Sequence, residues 1–250
     1  MYTSPSQTAA YSLAAGLLLV AGQALAHMEM ISPCPRYNAN GIDCPALPDG
    51  AVKDYNENSP IASGNVVMQP FCKYATPWPT PAASWTAGQT IGVKFNTFGS
   101  PHSGGHCEWS LSYDGGDTFV VVHRVLEKCF YDAEGKLQTD YSFALPADLP
   151  ASDSAIFAWT WVNAMGNREF YMNCADVSIS GSAVSFTGPQ MTILNYPGHP
   201  MVPEFLGNYT IGLSYYDSAP SVTVYAAPAP NKSEDGDPAP VSSSPPMRRR

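Results

Sequence analysis

The first histidine of the chain, His27, follows Ala24-Leu25-Ala26, a small-x-small triplet that closes an apolar run over residues 13–21. The run is too short to span a bilayer. Together the two features read as a signal peptide (residues 1–26) rather than a buried N-terminal helix. Cleavage after Ala26 makes His27 the first residue of the mature chain. A terminal histidine offers two metal donors at once, the freed α-amine and the imidazole Nδ1, which close a chelate ring. One further imidazole completes three nitrogens in a plane. That set suits Cu(II), which favours tetragonal nitrogen sites and heads the divalent affinity order. The α-amine has a reference pKa of about 8, so binding displaces its proton and affinity must fall in acid.

Four other histidines compete to be the second imidazole. His123 lies inside a predicted strand and His199 on a loop between Gly198 and Pro200, both ordinary structural positions. His102 is better placed, in Ser100-Pro101-His102-Ser103-Gly104-Gly105-His106-Cys107, a glycine-containing loop leading into a strand anchored by a cysteine. His106, in the same segment, stays open as an alternative. Further on, Asn167-Arg168-Glu169-Phe170-Tyr171-Met172-Asn173-Cys174-Ala175 sets Glu169, Tyr171 and Asn173 on one face of an extended segment. A tyrosine hydroxyl two residues from a carboxylate places a weak axial metal neighbour beside a proton donor or acceptor. Taken singly, each of these groups is ordinary; their coincidence is the signal.

Such groups need a rigid frame. Residues 27–83 are rich in Pro, Asn and Gly and read as long ordered loops pinned by Cys34, Cys44 and Cys72. Short alternating runs follow, giving predicted strands over 90–95, 107–113, 119–125, 141–145, 155–163 and 175–179. The second and third of these form a hairpin around Asp114-Gly115-Gly116-Asp117. In 155–163 the Phe157, Trp159, Trp161 face opposes Ile156, Ala158 and Thr160, and the two tryptophans read as core rather than a sugar platform. Strands at this spacing favour an all-β antiparallel sandwich over an α+β fold. The domain is expected to span 27–217. Residues 218–250, rich in Ala, Pro and Ser, read as a solvated, disordered tail or linker.

Composition removes other functions. Twelve Lys+Arg against 21 Asp+Glu give a formal charge of −9, so no basic face exists to neutralise nucleic-acid phosphates or to hold an acidic membrane surface. Six cysteines agree with an oxidising, extracellular destination and allow three bridges, whose pairing the sequence leaves open. They form no CxxC pairs, which argues against a zinc ribbon. No second apolar run approaches a membrane span, so a soluble secreted chain is expected. Asn208-Tyr209-Thr210 and Asn231-Lys232-Ser233 are glycosylation sequons.

Three pieces of the chain, read together, resemble the fungal chitin-active lytic polysaccharide monooxygenases of auxiliary activity family 11. They are His27-Met28-Glu29-Met30, then His102-x-Gly-Gly-x-Cys107 running into Leu111-Ser112-Tyr113-Asp114, and finally Phe157-Ala158-Trp159-Thr160-Trp161 followed by Asn167-Arg168-Glu169-x-Tyr171-Met172-Asn173-Cys174. The resemblance covers roughly residues 27–216. It implies an immunoglobulin- or fibronectin-like β-sandwich presenting one mononuclear copper on a flattish surface. It also implies that His27 supplies amine and imidazole, His102 the third nitrogen and Tyr171 the axial position, with Glu169 orienting the oxidant or shuttling protons. His106 stands where the family usually has a small residue, and the resemblance favours His102 as the ligand.

The implied enzyme is a secreted monomer acting on an insoluble polysaccharide, chitin foremost. An external electron donor reduces the copper, hydrogen peroxide or dioxygen serves as co-substrate, and hydrogen is abstracted from C1 or C4 of a β-1,4-linked sugar. An exposed metal suits such a substrate, since a crystalline surface enters no cleft. A hydrolase would need two carboxylates about 5–10 Å apart in a groove, and no motif here pairs them. Two other classes remain in view: a copper-binding protein of the same fold without glycan oxidation, and a non-catalytic carbohydrate-binding module.

Overall fold

The computed structural model describes residues 27–226; the expected signal peptide and the chain beyond residue 226 lie outside the described residues. In chain order the elements are β1 (Met30–Ser32), β2 (Ala62–Ser63), β3 (Val66–Val67), β4 (Ala83–Thr86), β5 (Thr90–Phe95), β6 (Gly105–Ser112), β7 (Val120–Val125), β8 (Asp140–Ala144), β9 (Ser152–Asn163), β10 (Glu169–Ser180), β11 (Ser185–Pro189), α1 (Leu213–Asp217) and β12 (Ser221–Tyr225). One antiparallel sheet runs β1-β5-β8. A larger one runs β3-β2-β10-β9-β6-β7, with β4 added parallel to the far end of β10.

Strict alternation in β5 buries Ile91, Val93 and Phe95 while Thr90, Gly92 and Lys94 face solvent. Phe95 meets the large sheet through edge-on aromatic contacts, 4.8 Å from Trp159 and 6.3 Å from Trp109, and Tyr141 of β8 meets Trp109 at 5.0 Å in a tilted contact. This aromatic layer is the sandwich core. The other face of β9 (Ile156, Ala158, Val162) is buried as well, under loop residues such as Met191, Leu194 and Phe205. Burial on both faces explains the nearly unbroken apolar run of β9. Trp159 and Trp161 are fully buried, as core residues rather than a sugar platform.

The all-β antiparallel sandwich with disulfide-pinned loops is the observed architecture. The predicted strands over 90–95, 107–113, 119–125, 141–145 and 155–163 all occur, with ends displaced by at most three residues. The segments 167–175 and 175–179, read separately, are one twelve-residue strand, β10. The domain boundary expected at residue 217 is corrected outward, because β12 pairs residue by residue with β11, from Ser185↔Tyr225 to Pro189↔Ser221. Val224 is buried against the core in that pair, and this alternation was obscured by the Ala/Pro/Ser composition around it.

The disulfides are Cys34–Cys44, Cys72–Cys174 and Cys107–Cys129, with sequence separations of 10, 102 and 22. The long bridge ties a loop to the middle of β10. Constraining the unfolded chain stabilises most where the closed loop is longest, by about 4.7 kcal/mol for a loop near 100 residues and about 2.7 kcal/mol for one near ten. Replacing Cys72 and Cys174 together by alanine is therefore expected to cost about 2 kcal/mol more than the same change at Cys34 and Cys44, read by urea unfolding.

Candidate metal centre

His27 lies three residues ahead of β1 and is held by the residues that follow β5. Asn96 donates its backbone N–H to Glu29 O (3.0 Å), accepts Glu29 N–H on Oδ1 (3.3 Å), and reaches His27 O through Nδ2 at 3.5 Å. Gly99 packs so close that a β-carbon there would overlap the His27 carbonyl.

His102 sits in a left-handed run, with φ of 44° at His102, 60° at Ser103, 96° at Gly104 and 127° at Gly105. Three neighbours pin this loop. The turn between β9 and β10 bonds it twice (Ala164 N→Gly104 O, 2.9 Å; Met165 N→His102 O, 3.0 Å), the chain after β7 exchanges bonds with Gly105, and Tyr209 donates its hydroxyl to Ser103 O at 3.0 Å. Gly105 lies flush against β9, where a side chain would collide with the Val162 carbonyl. The Cys107–Cys129 bridge then fixes the start of β6.

Tyr171 pairs with Trp161 across β10 and β9, their ring centroids 4.6 Å apart. Two residues upstream on the same face, Glu169 accepts the Tyr171 hydroxyl on Oε2 at 2.6 Å. Arg168, its neighbour, bonds instead to the carbonyls of Gly166, Asn163 and Pro203 and closes the β9–β10 turn.

These elements bring His27, His102 and Glu169 together, with one donor atom of each within 4.8 Å of the others. The two imidazoles lie 5.5 Å apart between centroids, and the Tyr171 ring is also 5.5 Å from that of His27. His102 Nε2 is buried and has no hydrogen-bond partner. An unsatisfied buried nitrogen costs about 1–3 kcal/mol, and a cation at the cluster would remove that cost. Imidazole donors are the set that suits copper, so the residues present fit the ion. Burial lowers the His27 pKa below 6.5; His102 and Lys73 act in the same direction and Glu169 against it, so the ring stays neutral with a free lone pair near pH 7. Burial, reinforced by Glu169, pushes the Tyr171 hydroxyl far above its usual range, so it is a neutral phenol.

The remaining histidines stand apart. His106 Nδ1 accepts Glu127 N–H (2.8 Å), so Nε2 carries the proton and donates it to Ile211 O (2.8 Å), with the ring between Phe205 and Tyr216. Both its nitrogens are used. His123 stacks on Phe143 at 4.1 Å, and His199 packs beside Tyr196 on a loop. Sequence reasoning assigned no role to Asn96, Gly99 or Asn163, which hold the donors in place. Asn163 bonds Glu169 N and the carbonyls of Met165 and Asn167, and its sequence signal was only its position at the end of a strand.

A family profile described as "Lytic polysaccharide mono-oxygenase, cellulose-degrading" matches residues 25–177. Over 165 residues the chain is 43% identical to the AA11 family lytic polysaccharide monooxygenase A of Aspergillus fumigatus, covering 66% of this chain and 69% of that one. The chain belongs to auxiliary activity family 11 of the lytic polysaccharide monooxygenases.

An AA11 family lytic polysaccharide monooxygenase of Aspergillus oryzae is 28% identical over 179 residues, covering 66% of this chain and only 38% of the relative, so this monooxygenase-family chain spans well under half of that longer protein. Among solved structures, a cellulose-active polysaccharide monooxygenase from M. thermophila aligns at 16% identity and a TM-score of 0.42, over 56% of this chain and 72% of that one. His27, His102, Glu169 and Tyr171 all fall within the matched segment of the monooxygenase profile.

Two outcomes follow for this family member. Gly105→Ala, which adds both backbone strain and a collision with β9, is expected to lower stability by at least about 2 kcal/mol in urea unfolding. His106, buried and locked as acceptor at Nδ1, should titrate below 6.5 in nitrogen-resolved NMR and show the Nε2–H tautomer. Because its folded pKa is depressed, its contribution to stability is present above 6.5 and is lost as pH falls below it. A midpoint at or above 6.5 would contradict the assignment.

Proposed function

We propose that this chain is a secreted, copper-dependent enzyme that oxidatively cleaves β-1,4-glycosidic bonds of an insoluble polysaccharide, chitin foremost, at C1 and/or C4. The observation that carries the reading is the buried, unpartnered Nε2 of His102 within the His27–His102–Glu169 cluster. His27 and His102 would hold the ion, His27 adding its α-amine once the preceding residues are removed. Copper bound there supplies one-electron chemistry, cycling between Cu(II) and Cu(I) with an external reductant and using hydrogen peroxide or dioxygen to break a C–H bond.

The protein groups divide the rest of the work. Tyr171 would stand beside the bound ion, and as a neutral phenol it donates to Glu169 Oε2 and fixes the carboxylate's orientation. Glu169 Oε1 is thereby left to accept or return a proton near the reacting sugar. Trp161, packed against both His102 and Tyr171, closes the floor of the site to water. Met165, 44% exposed, donates its backbone N–H to His102 O, and Phe98, 50% exposed, precedes Gly99, which packs on the His27 carbonyl; both offer apolar area to sugar faces. Three disulfides support an extracellular setting, and among the described residues no helix is long and apolar enough to cross a membrane. Chitin rests on the family 11 resemblance; cellulose, named in the family description, is the competing substrate.

The test is mass spectrometry of products from chitin and from cellulose, each incubated with copper-loaded protein and ascorbate. Aldonic or 4-keto oligosaccharides are expected from chitin. Glu169→Gln should keep copper binding and lose about 10²–10⁴-fold in rate. His102→Ala should abolish the axial Cu(II) EPR signal. Tight copper binding with no oxidised product from either glycan would overturn the proposal and leave a copper-binding protein of the same fold.

A further inference from the structure

β1, which follows His27, lies in the small sheet, whereas β10, which carries Glu169 and Tyr171, lies in the large one. No ladder therefore sets the distance between them. One buried side chain does bridge them. Asn173, two residues beyond Tyr171 on the same face of β10 and 2% exposed, accepts Met30 N–H on Oδ1 at 2.9 Å. Its Nδ2 donates to Glu57 O at 2.9 Å and to Glu57 Oε1 at 3.1 Å. On the same edge of β1, Asn38 Nδ2 donates to Met30 O at 3.0 Å, so side-chain amides take the place of a neighbouring strand.

The far partner is itself locked. Lys73 donates from Nζ to Glu57 O at 2.6 Å and to Asn56 O at 3.3 Å, and its ammonium lies 3.4 Å from Glu57 Oε2. Lys73 and Cys72 are both left-handed, at φ 55° and 57°, and Cys72 is bonded to Cys174, the residue next to Asn173. Residues 56–57, 72–73 and 173–174 thus form one knot; Cys174 O accepts Arg36 N–H just beyond β1 at 2.8 Å, and the side-chain arm that reaches β1 itself is the Asn173 carboxamide.

We propose that Asn173 is a positioning residue that sets the spacing of His27 from the Tyr171–Glu169 pair; this rests on the metal-centre reading above. A primary carboxamide is required because the site asks for a donor and an acceptor on one short side chain. Aspartate keeps the acceptor and loses the donor, and leucine loses both. Either change removes the Nδ2 bonds to Glu57 O and Oε1 and leaves Glu57 O to Lys73 alone; leucine also strands Met30 N–H, three residues from His27. Metal sites demand placement to within about 0.5 Å, so slack at Met30 is transmitted to the donors.

The experiment compares Cu(II) affinity by calorimetry and the Cu(II) EPR spectrum in the wild type, Asn173→Leu and Val177→Ala, the last a buried apolar truncation further along β10. Asn173→Leu should lose affinity by about 10- to 100-fold and change its EPR parameters. Val177→Ala should melt at lower temperature with affinity and spectrum unchanged. Should Asn173→Leu fail to fold, Asn173→Asp, which retains the Met30 bond, carries the test and should show a smaller loss of affinity in the same direction. A folded Asn173 variant with wild-type affinity and spectrum overturns this inference alone. Absence of copper binding by the wild type overturns the metal-centre reading, and this inference with it.

Discussion

Nε2 of His102 is withheld from water without being given a partner, at a cost of about 1–3 kcal/mol, and the chain spends much of its structure keeping it there. A loop free to move would turn the ring outward and hydrate it. The left-handed run from His102 to Gly105, backbone bonds from three separate segments and the Cys107–Cys129 bridge remove that freedom. A cluster assembled this way is preorganised, so a cation that enters it need not meet the ordering cost of the ligands.

The site is also continuous with the core. Trp161 touches His102, Tyr171, Phe130 and Trp159, so the ring that floors the cluster is one of the rings that hold the two sheets together. Close packing of that layer gives the donors a support that yields little, because interiors at crystal-like density transmit displacement rather than absorb it. His27 is the exception. It precedes the first strand, and although Met28 and Met30 are buried in that layer, its own position also depends on Asn96, Gly99 and the amide bridge to Met30.

What could be read from the sequence follows from the range of the interactions involved. The period of two placed Glu169 and Tyr171 on one face of a strand, and the aromatic alternation of β9 marked Trp159 and Trp161 as core, because both are properties of neighbouring residues. The choice between His102 and His106 is not local. It depends on the backbone N–H of Glu127 and the carbonyl of Ile211, 21 and 105 residues away, which occupy both nitrogens of His106. The disulfide pairing is of the same kind, with Cys72 meeting a cysteine 102 residues on. β12 escaped notice because five residues of strand pattern are easily lost among Ala, Pro and Ser. The proline-rich segment 27–83 hid β1, β2 and β3 for a similar reason: strands of two or three residues leave no periodicity to detect.

The charge arrangement narrows what the cluster can do. Desolvation keeps the His27 imidazole neutral and the Tyr171 phenol protonated, so neither contributes a formal charge. Glu169 is then the acidic group of the cluster, and it is held by a neutral donor rather than by a cation: Arg168, adjacent in sequence, directs its guanidinium to three carbonyls instead. An ion pair between Arg168 and Glu169 would have tied up the carboxylate. With Tyr171 occupying only Oε2, the second oxygen remains free beside the imidazoles of His27 and His102, which is the arrangement a group needs if it is to attract a cation and also handle a proton.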